Sequence, residues 1–420
     1  MARRYFGTDG VRGVVGEDLT LDLVERLGRA ATLWSNGGRV FAGRDTRASG
    51  PELEEAFAQG VVSAGGNAVL AGVLPTPAVA LLALDLGVVI SASHNPPEYN
   101  GVKFFDRDGQ KLSDAAEEEI EALLDAPGEG GGQIDRVEVA TDSYVEHILE
   151  RFGSDLSGLR IAVDCANGAY SEIAPAAFEE LGASVTAIGA SPDGTNINVG
   201  CGATDLPLLQ ATVRAGQFDL GVAFDGDGDR MLAVDAAGET LDGDQILAIL
   251  ALDLGVEAVA VTVMANLGFH RLAAERGIRV VTTDVGDRYV LEALRDEGIV
   301  LGGEQSGHII YLRGHVTGDG LAAALLLCAS LKGKTLAERA AVMPVYPQAK
   351  RDVRVGRREV PEAVRVEVER LNADLGERGR VLVRPSGTEP VIRILAEAER
   401  RSEAESLCAT IEALVRRELG

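Results

Sequence analysis

The feature that most constrains the fold is a strand–helix–strand unit that occurs three times along the chain. Each copy opens with a short apolar run that ends in a polar turn, and an Ala-, Glu- and Leu-rich stretch with helical character follows. A glycine-led second strand and a third apolar segment complete each copy. The opening runs of the three copies are residues 38–47, 159–168 and 257–266. A repeat of this length predicts three domains of one architecture in series.

Strands that alternate with helices imply right-handed crossovers and a largely parallel sheet covered on both faces. The strands of the repeat are continuous apolar runs, which is the pattern that burial on both faces predicts. From about residue 345 the pattern changes, because residues 349–355 and 381–399 indicate strands and residues 402–419 a closing helix. We therefore predict an α/β protein: three tandem α/β domains with mixed, mostly parallel sheets, plus a smaller α+β C-terminal domain, around a central cleft.

The predicted domains differ in the chemistry of their loops. We expect them in chain order as a serine-bearing, a metal-binding, a sugar-binding and a phosphate-binding domain, with boundaries at 1–152, 153–244, 245–344 and 345–420.

Composition excludes several classes of partner. A net charge of −25 and a pI near 4.6 argue against nucleic acid or an anionic membrane, and an anionic substrate would need a locally basic cleft. No apolar run approaches the roughly 18 residues of a membrane span. The basic start "MARR" is followed by Gly, Thr and Asp close behind, with no apolar signal core, so a cytoplasmic location is expected. The four cysteines are scattered and predict buried free thiols.

The third segment of each repeat ends in an unusual loop. In parallel α/β sheets, ligands collect at the carboxyl ends of the strands, so three such loops are expected to face one cleft. The loops are "SASHNP" at 91–96, "DGDGDR" at 225–230 and "GGEQSGH" at 302–308.

The second loop carries three carboxylates at alternate positions: Asp225, Asp227 and Asp229. Oxygen-rich spacing of this kind suits a hard divalent cation such as Mg²⁺. An EF-hand calcium loop would need Gly and Glu where Arg230 and Ala236 stand. Asp-Gly repeats also form simple acidic turns, but three carboxylates at one strand end repel one another unless a cation lies among them. The loop therefore predicts a magnesium site.

The first loop offers Ser93 as a nucleophile, and no G-x-S-x-G elbow or acid–base pattern marks an acyl-transfer triad. A serine near a tri-aspartate metal site is better interpreted as a phosphate carrier, because the cation neutralises charge during phosphoryl transfer. Alone, Ser93 would be an ordinary turn residue. Lys103, one of only five lysines among the 40 basic residues, returns ten residues later.

Two further loops carry polar groups for a sugar phosphate. Glu304 and Ser306 suit hydrogen bonds to sugar hydroxyls, and His308 suits proton transfer, although a histidine there could simply bond a backbone carbonyl. "RPSGTEP" at 384–390, with Arg393 beyond it, is either a non-covalent phosphate cradle or a tight β-turn.

Taken in order, "SASHNP", "NGVKF", "DGDGDR", "GGEQSGH" and "RPSGTEP" resemble the motifs of the α-D-phosphohexomutases over essentially the whole chain. The resemblance implies that Ser93 is a phosphoserine, and that its phosphate and the three aspartates hold one Mg²⁺ per chain. It implies that Arg12, Lys103 and Arg230 line the transfer site, that Glu304 and Ser306 hold the sugar, and that His308 acts at the reacting oxygen. The phosphate that is not transferred would be gripped by Arg384, Ser386, Gly387, Thr388 and Arg393.

The stretches 5–13 and 282–290, together with Gln305, resemble the branch of this family that acts on amino sugars. The implied reaction is isomerisation of glucosamine 6-phosphate and glucosamine 1-phosphate through a bisphosphate, for amino-sugar nucleotide synthesis, with hexose 1,6-bisphosphate as activator. By analogy with bacterial members, a homodimer is expected. Mannose and glucose phosphates remain alternative substrates, and a sugar-phosphate-binding protein without turnover and a phosphatase remain alternative functions.

Overall fold

The computed structural model describes residues 4–7, 9–357, 359–386 and 390–419. Backbone contacts divide the chain into two units. The first comprises Met1–Met264 and Arg279–Val342, and the second comprises Ala265–Ile278 and Met343–Gly420. Within the described ranges, no helix is both long and apolar enough to cross a membrane.

The first sheet of the first unit has six strands in the order β1-β5-β4-β2-β3-β6. Its strands are β1 (Val11–Val14), β2 (Arg39–Arg44), β3 (Asn67–Val73), β4 (Leu86–Ile90), β5 (Tyr99–Asp106) and β6 (Ile134–Arg136). The accompanying helices are α1 (Leu21–Trp34), α2 (Gly50–Ser63), α3 (Thr76–Leu81), α4 (Asp114–Ala122) and α5 (Ala140–Phe152). Strands β2, β3 and β4 are parallel, whereas β5 runs antiparallel to β4 and to β1.

The second sheet has the order β11-β10-β9-β7-β8. Its strands are β7 (Arg160–Asp164), β8 (Ser184–Ile188), β9 (Leu220–Phe224), β10 (Met231–Asp235) and β11 (Thr240–Leu241), and its helices are α6 (Ile173–Glu180) and α7 (Pro207–Gly216). Strand β9 is parallel to β7 and buried at all five positions, and β10 returns antiparallel beside it.

The third sheet has the order β13-β12-β14-β15. Its strands are β12 (Ala258–Thr262), β13 (Arg279–Thr283), β14 (Leu301–Gly303) and β15 (Ile309–Tyr311). The helices of this part of the first unit are α8 (Gly243–Leu254), α10 (Asp287–Asp296), α11 (Gly320–Ser330) and α12 (Leu336–Ala340). A capping box of Asp242 and Gln245 begins α8, satisfying backbone N–H groups that the first turn leaves without helical partners.

The three sheets share one strand order, which is β5-β4-β2-β3 in the first, β10-β9-β7-β8 in the second and β15-β14-β12-β13 in the third. In each, the antiparallel returning strand lies beside the third strand of the repeat, and the first and second strands of the repeat follow. The predicted repeat and the α/β fold with mixed, mostly parallel sheets are therefore confirmed. Each third strand is followed by a polar loop and then by an antiparallel strand, so each loop is held at the closed end of a hairpin.

The second unit contains a three-stranded antiparallel sheet in the order β16-β18-β17. Its strands are β16 (Gln348–Arg354), β17 (Gly379–Pro385) and β18 (Val391–Ala398), and its helices are α9 (Leu267–Arg276), α13 (Glu362–Leu375) and α14 (Arg401–Leu419), with a 3₁₀ turn at Gly376–Arg378. Its core packs Val381 and Ile392 of the sheet with Ile411 of α14. The predicted α+β character of this part is confirmed.

All four cysteines are free and buried, as predicted. Burial raises the pKa of the Cys328 thiol to about 12, which keeps it protonated and unreactive.

Candidate active site

The polar loops after β4, β9 and β14 meet within the first unit. Ser93, after β4, donates from Oγ to Oδ2 of Asp225, after β9, at 2.6 Å. Arg230 and His308 form an isolated antiparallel bridge, and the N–H of Met231 donates to the carbonyl of Gly307 at 2.9 Å. The structure thus brings together the serine, aspartate and histidine loops that the sequence singled out.

The three aspartates form a buried cluster. Each of Asp225, Asp227 and Asp229 offers a carboxylate oxygen, and these oxygens lie within 4.8 Å of one another. Oδ2 of Asp227 accepts from Thr76 Oγ1 at 2.6 Å and from Lys103 Nζ at 2.7 Å, whereas its Oδ1 is buried with no hydrogen-bond partner among the described residues. A buried carboxylate oxygen without a donor is costly unless a cation binds it. The oxygen donor set and this orphaned atom fit a Mg²⁺ ion.

The protonation equilibria of the cluster reflect crowding of negative charge. Burial, followed by the like charges of Asp229 and Asp227, raises the pKa of Asp225 to about 7. Burial also acts to raise the pKa of Asp229, but the neighbouring charges of His308 and Lys103 outweigh it and hold that pKa well below its usual value. A divalent cation would lower the pKa of Asp225 by the opposite effect, because an adjacent positive charge favours the carboxylate.

Gly228 sets the shape of the aspartate loop. Its φ is +80°, and a Cβ at this position would lie 2.4 Å from the ring of Tyr170. The loop therefore needs glycine both for the left-handed backbone and for the close approach of the ring.

We expect Gly228→Ala to lower the free energy of unfolding by about 2–4 kcal/mol, because it adds steric overlap to left-handed strain. The matched control is Gly255→Ala, since Gly255 has a similar φ of +63° but no atom within 4 Å of the added Cβ. The control should lose only about 1 kcal/mol. Urea denaturation followed by circular dichroism compares the two, and equal losses would contradict the packing argument.

Ser93 itself is held in an unusual conformation. It is 1 % exposed, and its φ of +52° lies in the left-handed region that residues with a side chain rarely adopt. Its backbone N–H donates to Ser91 Oγ at 2.9 Å, and Ser91 Oγ donates to Asp45 Oδ2 at 2.6 Å. Asp45 also accepts from Arg47 Nε at 2.9 Å, in an ion pair whose side chains are both fully buried. In the sequence, Asp45 and Arg47 stand out only as the polar end of the opening run at 38–47, so this support was not predicted.

Lys103 extends from β5 into the aspartate cluster. Its Nζ lies 2.7 Å from Asp227, 3.2 Å from Asp9 and 3.7 Å from Asp229. Burial by itself lowers the pKa of Lys103, but Asp227 and Asp9 outweigh it, so the pKa rises above its ordinary value and the ammonium stays charged. Arg12, on β1, forms an ion pair with Asp9 and thus lies beside Lys103.

The charged network extends beyond the predicted residues. Lys111 Nζ lies 2.6 Å from an oxygen of Asp9 and 2.7 Å from Asp287, at the start of α10. Asp9 and Asp287 fall within 5–13 and 282–290, the stretches that resemble the amino-sugar branch, where Arg12 alone has a predicted role. Thr76 and Lys111 had no distinguishing sequence pattern, because an isolated threonine or lysine is ordinary until the fold places it.

His308 is flanked by two carboxylates and a guanidinium. Its Nδ1 lies 2.9 Å from Glu304 Oε2, and its Nε2 lies 3.1 Å from Asp229 Oδ1 and 3.3 Å from Arg230 Nε. Burial alone would lower the pKa of His308, but Asp229 more than offsets it, and the pKa rises to about 10. The carboxylates on either side thus favour the charged form of the imidazole.

Two neighbours of His308 in the loop differ in their surroundings. Gln305 Nε2 donates to Asp242 Oδ2 at 3.1 Å, which ties the loop to the start of α8. Ser306 is exposed. Glu304 Oε1 accepts from the backbone N–H of Gly286 at 3.0 Å, so the quoted stretch 282–290 positions this carboxylate.

The predicted phosphate-gripping residues lie in the second unit. Arg384 on β17 and Arg393 on β18 are directly opposite one another in the antiparallel register. Ser386 is buried, and its N–H donates to the carbonyl of Val391 at 2.9 Å. Gly387 and Thr388 lie outside the described residues.

Comparison with protein families gives four matches in chain order. The models are those of phosphoglucomutase/phosphomannomutase alpha/beta/alpha domain I at residues 3–130, domain II at 142–238 and domain III at 242–346, and of the C-terminal domain at 332–414.

Among individual proteins, a phosphoglucosamine mutase of Moorella thermoacetica is 48% identical, covering 97% of this chain and 98% of that protein. A solved phosphoglucomutase/phosphomannomutase family protein of Burkholderia thailandensis has a TM-score of 0.84 at 27% identity, covering 98% and 96% of the two chains. The N-acetylphosphoglucosamine mutase of Aspergillus fumigatus, solved with GlcNAc-6P and magnesium, shares the fold with a TM-score of 0.75 at 21% identity, covering 99% and 96%. The chain belongs to the phosphoglucomutase/phosphomannomutase family of α-D-phosphohexomutases, with the phosphoglucosamine mutases among its relatives.

Proposed function

We propose that this phosphohexomutase isomerises glucosamine 6-phosphate and glucosamine 1-phosphate by passing phosphate through Ser93, for amino-sugar nucleotide synthesis. The observation that carries the proposal is the 2.6 Å hydrogen bond from Ser93 Oγ to Asp225, inside a buried cluster of three carboxylates. A hydroxyl in such a place is poised for phosphoryl transfer. The relatives named phosphoglucosamine mutase, at 43–48% identity, support the amino sugar as substrate.

In this proposal Asp225, Asp227 and Asp229 hold a Mg²⁺ ion together with the phosphate on Ser93. The orphaned Oδ1 of Asp227 supports that assignment. When bound, the ion neutralises the negative charge that develops on the phosphoryl oxygens. Arg12, Lys103 and Arg230 add fixed positive charge around the transferred group. The ion pairs of Lys103 with Asp227 at 2.7 Å and with Asp229 at 3.7 Å support its place there.

The remaining residues position the sugar and handle its protons. When phosphate moves from the sugar to Ser93, the P–O bond to the sugar breaks and a bond to Oγ forms. Oγ must therefore lose its proton, for which the hydrogen-bonded Asp225 Oδ2 is the acceptor at hand, and the sugar oxygen must gain one. His308, whose pKa Asp229 raises against the effect of burial, is suited to donate one, and the reverse step returns it. Glu304 and Ser306 would bind sugar hydroxyls.

The phosphate at the other end of the sugar would bind to Arg384, Ser386, Gly387, Thr388 and Arg393. Arg384 and Arg393 are directly opposite one another in the register, and guanidinium groups bind phosphate through paired N–H donors. Because these residues would contact only the phosphate, they can hold the sugar in either orientation. Because Ser93 alone must exchange phosphate with both ends of the sugar, the bisphosphate must rotate end over end once in each cycle. Hexose 1,6-bisphosphate would rephosphorylate any enzyme that loses its phosphate. In this proposal residues 1–152 carry the phosphoserine, residues 153–244 bind the metal, residues 245–344 bind the sugar and residues 345–420 bind the distal phosphate.

The test is turnover of glucosamine 1-phosphate, mannose 1-phosphate and glucose 1-phosphate side by side, with Mg²⁺ and a catalytic amount of hexose bisphosphate. We expect a strong preference for the amino sugar. Comparable or better rates on the neutral sugars would retain the chemistry but overturn the substrate. No turnover of any of the three would favour a binding protein, and release of inorganic phosphate in its place would favour a phosphatase.

A further inference from the structure

The carbonyl oxygen of Ser93 accepts hydrogen bonds from two different parts of the first unit. Arg47 Nη2 donates to it at 3.0 Å, from the loop after β2, and Asn198 Nδ2 donates to it at 2.9 Å, from the loop after β8. The same amide nitrogen of Asn198 lies 3.3 Å from the carbonyl of Asn95. The loop that bears Ser93 is therefore held by a side chain from a loop of its own sheet and by a side chain from a loop of the second sheet.

Asn198 is itself firmly placed. Its φ is +59°, a left-handed conformation that asparagine tolerates better than most residues. Its backbone N–H donates to the carbonyl of Ala166 at 2.8 Å, immediately beyond β7. Nearby, Asn167 Nδ2 donates to the carbonyl of Asn196 at 3.2 Å, which joins the two loops a second time. The backbone of Asn198 is thus anchored beside the end of β7, which fixes the position of its side-chain amide.

The aspartate loop packs against this contact. A Cβ added at Gly226 would lie 2.7 Å from the Ser93 carbonyl oxygen and 2.9 Å from Asn198 Nδ2. It would also lie 2.7 Å from Cδ1 of Ile197. The backbone between Asp225 and Asp227, the Ser93 carbonyl and the Asn198 amide therefore touch one another with no spare volume, so a shift in one displaces the others.

We propose that Asn198 is a positioning residue for phosphoryl transfer, which fixes Ser93 against the aspartate loop through the Ser93 and Asn95 carbonyls. The inference rests on the proposed role of Ser93 as phosphate carrier. Ser93 is held at a φ of +52°, and a strained residue keeps such a conformation only where its surroundings over-determine it. Loss of the amide removes the hold that reaches Ser93 from the second sheet's loops, and the hydroxyl then no longer keeps its place against Asp225.

The experiment compares Asn198→Ala and Asn198→Asp with the wild-type enzyme and with Asn67→Ala. The aspartate variant keeps the shape of the side chain but removes its N–H donors and places a carboxylate beside two carbonyl oxygens. Asn67 provides a matched control, because its amide oxygen accepts from the N–H of Gln133 at an exposed place on β3.

We expect kcat on glucosamine 1-phosphate to fall about 10²-fold in both Asn198 variants, because a displacement of about 1 Å at a reacting atom costs that much. KM should change little, Tm should fall only modestly through the lost hydrogen bonds, and the ³¹P NMR resonance of phosphorylated Ser93 should shift or broaden. Asn67→Ala should match the wild type in all four quantities.

Wild-type kcat in Asn198→Ala would overturn the inference. So would a fall in kcat that parallels a fall in Tm while the ³¹P resonance is unchanged, since that pattern belongs to a purely structural residue. If Asn198→Ala fails to fold, the shape-matched Asn198→Asp supplies the same readouts. Failure of the proposed function is distinguishable, because the wild-type enzyme would then show neither turnover nor a phosphoserine resonance.

Discussion

Ser93→Ala removes turnover of every hexose phosphate, by at least about 10³-fold, while the variant folds normally. The physical reason is that no other hydroxyl in the described part of the chain donates to Asp225, so the variant has nothing to carry phosphate between the two ends of the sugar. The measurement is coupled-assay turnover of glucosamine 1-phosphate in the presence of hexose bisphosphate, with circular dichroism and Tm as checks on folding.

The matched control is Ser63→Ala, which removes a hydroxyl that only donates to the carbonyl of Gly60 within α2. It should retain wild-type turnover. The Ser93 variant should still bind glucosamine 6-phosphate, because the groups proposed to hold the sugar and its distal phosphate are intact. Normal activity in Ser93→Ala would end the phosphoserine assignment.

Removal of divalent metal should stop catalysis completely and reversibly. Without a cation, burial and the two neighbouring carboxylates hold the pKa of Asp225 near 7, and Asp227 keeps an oxygen without a donor. We expect excess chelator to abolish turnover, Mg²⁺ to restore it, and Mg²⁺ to raise Tm, because binding to the folded state alone stabilises it. Asp227→Asn should lose activity and most of the Mg²⁺-dependent rise in Tm.

The control for that variant is Asp235→Asn, at the far end of β10. Asp235 Oδ1 accepts from the N–H groups of Ala237 and Glu239 in a tight turn, so its replacement should lower Tm while leaving the Mg²⁺ response intact. Full turnover in excess chelator would contradict the tri-aspartate site.

Much of the fold could be predicted because buried strands produce a recognisable pattern of apolar residues in the sequence. The strands β4 and β9 are buried at every position, and such strands appear as continuous apolar runs with polar turns at their ends. The returning strand of the third repeat escaped prediction for a physical reason. Strand β15 has three residues and continues directly from a polar loop, too short for any periodicity.

Division of the chain into units was harder to predict than its strands. The helix α9 lies between two strands of the third sheet in sequence, yet its stretch, Ala265–Ile278, groups with the C-terminal part of the chain. Contacts that join residues far apart in sequence leave no local pattern, so the boundary at 344/345 stays a prediction.

The candidate site likewise contains residues that a local sequence pattern identifies and residues that only long-range contacts identify. Ser93, the three aspartates and His308 could be identified because unusual residue types cluster in short loops at strand ends. Four other residues could not be identified: Arg47, Thr76, Lys111 and Asn198. Each is a single residue whose contacts lie between 46 and 151 positions away along the chain, and for Asn198 the separation is 105. Their roles follow from hydrogen-bond geometry, which only the folded chain displays.

The most direct test of the central claim is to follow the phosphate itself. The enzyme is incubated with Mg²⁺ and ³²P-labelled hexose 1,6-bisphosphate, freed of ligand, and digested for peptide mapping; glucosamine 6-phosphate is then added to a second portion in a single turnover. We predict one label per chain, on Ser93, that passes to the sugar as glucosamine bisphosphate. Label on another residue, or label on Ser93 that water releases but the sugar does not accept, would contradict the account.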